Sequence, residues 1–251
     1  MDRPAAVKVD YDCKACPLHK TAHQPVWGRG PENAILMIVG ENPGYEEDRK
    51  GRPFLETAPA GELLTLILKQ IGLSRDQVYL TNATRCTKAN QDVTAKMIKA
   101  CHGHLMQEIE AINPKLVVLM GNPALKSIFG HEGITKAHGL LQIGPDGRQY
   151  LPTIHPAAAL DTRTPEWQPI IQRDLQAALK IALRDEPNPL VGLDLILVDT
   201  TEKLTELDQT LKALPEDDTL VFFDFETNGL KTPFQAGLEH TLSRGLASLR
   251  R

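Results

Sequence analysis

The sequence predicts an α/β fold with three layers, α/β/α, built around a mostly parallel central sheet. Two observations carry this. Short apolar runs over residues 34–39 and 115–120 each stop at a glycine, Gly40 and Gly121, as strands buried on both faces do. Between and after them lie segments whose apolar residues recur at helical spacing, and strands alternating with helices give a sheet covered on both sides.

Taken in order, residues 34–39 form the first strand, followed by a loop rich in glycine, proline and charge that lasts to Pro59. A helix from about Ala60 carries Leu63, Leu64, Ile67, Leu68 and Ile71 on one face, with Gly72 closing it. Residues 77–81 read as a second strand that runs into a polar loop. Thr94 begins a long helix bearing Met97, Ile98, Cys101, Leu105 and Ile109, and Asn113-Pro114 stops it. The strand over 115–120 leads into a helix through Phe129, a further strand covers 150–154, and an amphipathic helix covers 167–183. Residues 1–184 make one domain. A polar linker with two prolines, 185–193, precedes a second pattern over 194–251: strand, amphipathic helix, and a strand ending at Asp224.

The chain has 251 residues, 41% hydrophobic and 24% charged, which is enough apolar content for a sizeable core. No run is long and apolar enough for a membrane helix, and the start of the chain lacks the apolar stretch of a secretory signal. A reducing, cytoplasmic setting without membrane association is the expectation, and four cysteines there are better read as ligands than as disulfides. The net charge of −4 gives no argument for nucleic-acid binding. Local clusters, Arg49, Lys50 and Arg52 in one loop and Arg85, Lys88, Lys96 and Lys99 around a later one, could still neutralise phosphates.

In parallel α/β sheets, ligands bind at the loops beyond the carboxyl ends of the strands. The first such loop reads Gly40-Glu41-Asn42-Pro43-Gly44, where a carboxylate and an amide stand side by side and can hold one water. The second holds Thr81-Asn82, whose amide offers a donor and an acceptor to a pyrimidine edge. The third holds His155-Pro156, a histidine able to donate to negative charge on a leaving group. Taken singly, each is better explained by a structural role: a polar-capped turn, an Asx turn and a structural histidine. Cys13-x-x-Cys16, and Cys86 with Cys101, fourteen residues lying between the last two, supply four thiolates suited to a [4Fe–4S] cluster or to zinc. Zinc on Cys13, Cys16, His19 and His23 is the rival ligand set.

Together, in this order, these motifs resemble the family 4 uracil-DNA glycosylases, over residues 13–183. The likeness includes Cys13-Lys-Ala-Cys16-Pro17-Leu18, the Gly40-Glu41 turn with its Gly51-Arg52-Pro53-Phe54 extension, and Ala60-Gly61-Glu62-Leu63-Leu64. It continues through Thr81-Asn82, the Cys86 and Cys101 pair, and His155-Pro156. The resemblance implies a monomer that flips uracil out of DNA against Phe54, beside Gly40, and reads it with Asn82. His155 would stabilise the departing base, Glu41 would orient water, and Leu160 would fill the emptied stack. Cys13, Cys16, Cys86 and Cys101 would hold a structural [4Fe–4S] cluster.

Three departures leave alternatives open. Asn42 stands where the family has a small residue, so it could share the work of Glu41 or change the base accepted. Ala157 replaces a serine, and Thr57-Ala58-Pro59 replaces a glycine-rich passage. A glycosylase for another modified pyrimidine, or a noncatalytic DNA-binding module of a phage-type polymerase, therefore stays in view. The tail favours the latter association. Asp224-Phe-Glu226 at a strand end resembles the first motif of the proofreading exonuclease in family A DNA polymerases, here a truncated segment without the later acidic residues.

Overall fold

A computed structural model describes residues 3–88, 92–161, 164 and 166–183. These belong to a unit spanning Met1–Val191. The predicted linker and exonuclease-like segment lie outside the described residues.

Five strands form one sheet: β1 (Leu36–Gly40), β2 (Tyr79–Asn82), β3 (Leu116–Met120), β4 (Gln142–Ile143) and β5 (Gln149–Thr153), in the order β2-β1-β3-β5-β4. All neighbours are parallel except β4, which pairs antiparallel with β5 at the edge. β1 and β3 are buried at every position, which is why their sequences are continuous apolar runs and do not alternate.

The helices are α1 (Tyr45–Lys50), α2 (Pro59–Gln70), α3 (Ala95–Ile112), α4 (Asn122–Phe129), α5 (Ile134–Ala137) and α6 (Trp167–Ala182). The connection from β1 to β2 steps one way across the sheet, and those from β2 to β3 and from β3 to β5 step the other way. Right-handed crossovers then put α2 on one face and α3 with α4 on the other. The packing agrees: α2 meets α6, and α3 meets α4. This is the expected three-layer arrangement.

Boundaries follow local chemistry. The Thr94 hydroxyl accepts from the Met97 N–H at the start of α3, and Asn113 ends that helix in the left-handed region at φ +47°. The first loop differs from expectation. Its Glu-Glu-Asp-Arg-Lys run forms α1, acidic in its first turn and basic in its last, as the helix dipole favours. Six residues show too little apolar periodicity to reveal this from sequence.

The reversal of strand order between β1 and β3 opens a crevice beyond their carboxyl ends. Among the described residues, no helix is long and apolar enough to cross a membrane.

Candidate active site

The ends of β1, β2, β3 and β5 bring the predicted residues together. The Ala83 N–H donates to the Gly40 carbonyl at 2.8 Å, and the Thr84 N–H to that of Glu41 at 3.1 Å. The two loops are thereby stapled, with Glu41 beside the end of β2. A Cβ on Gly40 would lie 2.6 Å from the Phe54 ring and closer still to Asn82 Oδ1. Only glycine lets that ring and that amide meet over the end of β1. Asn82 is buried, and its Nδ2 has no hydrogen-bond partner.

Phe54 is held in an unusual conformation, at φ +48°. Arg75 Nη2 donates to the Phe54 carbonyl at 2.5 Å, while Glu47 accepts from the Leu55 N–H at 3.2 Å and from the Gly44 N–H at 2.7 Å. Gly61 at the start of α2 leaves room for this turn, since a Cβ there would collide with the Leu55 carbonyl. The ring so fixed lies nearly parallel to His155, with centroids 5.8 Å apart.

His155 directly follows Ile154 at the end of β5. Thr153, two residues before it, donates to Asp174 of α6 at 2.9 Å, which fixes this strand end. The His155 Nδ1 accepts from the Ala157 N–H at 3.2 Å. A ring that accepts at Nδ1 and is neutral carries its proton on Nε2. Burial, with Lys88 nearby, pushes its pKa down to about 4, so the neutral form holds at physiological pH. Glu41 moves the other way: burial raises its carboxyl above the ordinary value, opposed by the same Lys88. Glu41 packs on Gly121, at φ +88° beyond β3, where a Cβ would overlap its carboxylate.

Other predicted residues fall differently. The Asn42 amide donates one N–H to the Pro43 carbonyl at 2.9 Å, which leaves its second N–H and its oxygen available. Leu160 ends a short turn after His155 and is 47% exposed, open to contact from outside. Arg85, read from sequence as a phosphate-facing cation, is buried. Its Nη2 lies 2.8 Å from Glu108 Oε2, with the two side chains 2% and 0% exposed. Its Nη1 donates to the Asn82 carbonyl and the Thr81 hydroxyl, each at 2.7 Å. A lone arginine in a polar loop gives no sign that a glutamate 23 residues later on α3 will enclose it.

Sequence reasoning also missed Glu47, Gly61, Arg75, Gly121 and Glu108 as shapers of the site. For Glu108, a carboxylate among the buried positions of an amphipathic helix was the available signal.

The four cysteines are free thiols, Cys86 and Cys101 buried, Cys13 and Cys16 partly so. They face one another. Burial, then the nearby Cys101, Cys16 and Cys13, push the Cys86 thiol up to about 12, and burial raises Cys101 too, opposed by Arg85 and aided by Cys16 and Cys13. Leu18, Cys86 and Met97 pack together with Cys16 against them. Such a pocket stores protonated thiols poorly used as such, and a cationic centre would turn them into ligands. Among the described residues, the one group of possible metal ligands within 4.8 Å of each other is Asp10, Cys13 and His104. Four thiols, two from a turn, one from the loop leading into α3 and one from α3 itself, are a donor set that a [4Fe–4S] cluster accepts. His19 instead turns its Nδ1 to the Cys16 carbonyl at 2.6 Å.

A sequence model described as the Uracil DNA glycosylase superfamily matches residues 27–176. The chain is 37% identical over 169 residues to a type-4 uracil-DNA glycosylase of Thermotoga maritima, across 66% of this chain and 87% of that protein. It is 38% identical over 194 residues to a type-4 uracil-DNA glycosylase of Sulfurisphaera tokodaii, across 73% and 86%. A DNA polymerase of Bacillus phage SP01 is 35% identical over 156 residues, 61% of this chain but 16% of the polymerase.

Proposed function

The chain belongs to the uracil DNA glycosylase superfamily, and on that premise we propose that its crevice hydrolyses the N-glycosidic bond of uracil flipped out of DNA. It is a DNA glycosylase of base-excision repair, and its product is an abasic site. One observation carries the assignment of roles. A buried, unpaired Asn82 amide and the Phe54 ring meet across Gly40, with His155 stacked on that ring.

Phe54 takes the flipped base on its face, and Asn82 pairs with the uracil edge, donating to O4 and accepting from N3–H. As the bond from C1′ to N1 breaks, negative charge spreads to the uracil oxygens. The neutral His155 donates its Nε2–H to that charge. Glu41, made more basic than an ordinary carboxylate by burial, orients the water that adds to C1′ and draws off its proton. Asn42 assists through its free oxygen. Leu160 enters the stack left by the flipped nucleotide.

Cys13, Cys16, Cys86 and Cys101 would hold a [4Fe–4S] cluster, which would tie the N-terminal segment to α3 and supply no chemistry to the hydrolysis. Iron and acid-labile sulfide in equal amounts are expected in purified protein, and zinc alone would refute this.

A second reading draws support from the similarity to a phage DNA polymerase: the domain is a noncatalytic DNA-binding module of such a polymerase.

The test is uracil release from labelled single-stranded and duplex oligonucleotides, followed by alkaline cleavage at abasic sites, with His155→Ala beside the wild type. Uracil-dependent cleavage that falls in the variant is expected. Cluster-loaded protein that binds DNA but leaves uracil in place would overturn the assignment.

A further inference from the structure

A half-open cavity of about 380 Å³ adjoins the Phe54 loop and is distinct from the base pocket. Pro53 and Leu55 line it, while Phe54 between them faces His155. Leu80 forms its wall on β2, two residues before Asn82 and on the same face of the sheet, about 7 Å along the strand.

Four cations surround this space, Arg29, Lys50, Arg52 and Arg75, against one carboxylate, Glu56. The local balance is thus +3 on a chain whose net charge is −4. Arg75 is already engaged, with Glu56 at 3.0 Å, Thr65 at 3.0 Å and the Phe54 carbonyl. The side chains of Arg29, Lys50 and Arg52 make no hydrogen bond or ion pair among the described residues. Arg29 Nε is moreover fully shielded from solvent without any acceptor. A buried, unanswered N–H is costly, and surplus cations around one cavity repel each other. An anion in the cavity would relieve both.

We propose that this cavity is a phosphate-ester site, taking either a phosphodiester of a nucleic-acid strand or the phosphate of a free mononucleotide. Guanidinium forks match phosphate oxygens in pairs, and Arg29 and Arg52 supply two forks not otherwise engaged. The volume exceeds what one phosphate fills, and Pro53, Leu55 and Leu80 offer an apolar wall to the attached sugar. The site stands on its own geometry, whether or not Glu41, Asn82 and His155 act on uracil.

The test compares the wild type with Arg29→Gln, Arg52→Gln and the double variant. Neither side chain bonds within the fold, so unchanged melting is expected, and Arg52→Gln, at an exposed residue, serves if Arg29→Gln melts early. Calorimetry with inorganic phosphate and with thymidine 5′-monophosphate probes the free ester. Anisotropy of a uracil-free single-stranded oligonucleotide, titrated over salt, probes the strand. If the strand is the ligand, the slope of log affinity against log salt becomes shallower by about 0.7 for the one phosphate lost. If the free ester is the ligand, wild-type protein binds both small probes, the variants lose that binding, and the slope stays unchanged. Equal behaviour of wild type and variants toward all three probes would overturn the proposal.

Discussion

Thr81 and Asn82 are neighbours at the end of β2, yet their side chains enter opposite regimes. Thr81 points into a closed polar knot. There Glu108 accepts from the Gly28 N–H, the Tyr79 and Thr81 hydroxyls and Arg85, and is fully buried. Asn82 points into the crevice, where its Nδ2 meets nothing, Phe54 sits at positive φ, and Glu41 and His155 are both displaced from their ordinary pKa values. The period of two along a strand puts structure on one face and function on the other. The knot's Arg85 also grips the Asn82 carbonyl from behind. Unsatisfied groups in the crevice persist because the knot beside them, answered except at Arg85 Nε, fixes the backbone.

The largest effect should come from cutting the knot. Glu108→Ala strands a buried guanidinium and should cost about 3–5 kcal/mol in denaturant unfolding. A loss near that of a surface ion pair would mean that the knot does not anchor β2.

On the crevice side, His155→Ala should lower kcat about 100- to 1000-fold with melting little changed at pH 7. A comparable fall in stability would erase the contrast between the two faces.

Glu41→Gln should slow uracil release about 100-fold. Its effect on stability has the opposite sign. Burial raises the Glu41 pKa, so the fold favours the neutral carboxyl, and stability is lost as pH rises through the folded value. The neutral amide escapes this, so melting at pH 7 should rise.

The same displacement sets the acid limb of activity above 4.5, the ordinary carboxylate value. The limb should move to lower pH in Glu41→Gln, whose residual rate then follows His155, near pH 4. For His155 the fold favours the neutral ring. The stability it contributes is complete above 6.5 and lost as pH falls toward about 4, a loss absent in His155→Ala.

The smallest effect belongs to Leu160→Ala. Exposed in the free protein, it should leave melting and single-strand turnover nearly unchanged and weaken turnover on duplex alone. Equal loss on both substrates would remove it from the stack.

Much was legible in advance because it is local. Buried parallel strands must be apolar throughout, so residues 34–39 and 115–120 declared the sheet, and Thr94 and Asn113-Pro114 marked the limits of α3. The strand-end rule then singled out Glu41, Asn82 and His155 before any coordinates, and the structure does gather them with Phe54. The cysteine spacing pointed to a shared centre for the same reason, since two thiolates two residues apart need only a turn to converge.

What the sequence by itself determined is therefore the order of strands and helices and the residue types standing at strand ends. The tertiary structure alone decided which polar groups are answered. Arg85 was a surface cation until Glu108 closed on it across 23 residues, and the Asn42 amide nitrogen gained a partner only in its own turn. Arg29 joined Arg52 around one cavity only through the bridge to Leu80 at the edge of β2. Periodicity reports burial along a single element. Partnership between distant side chains, and the pKa displacement that burial imposes, arise only when the elements pack.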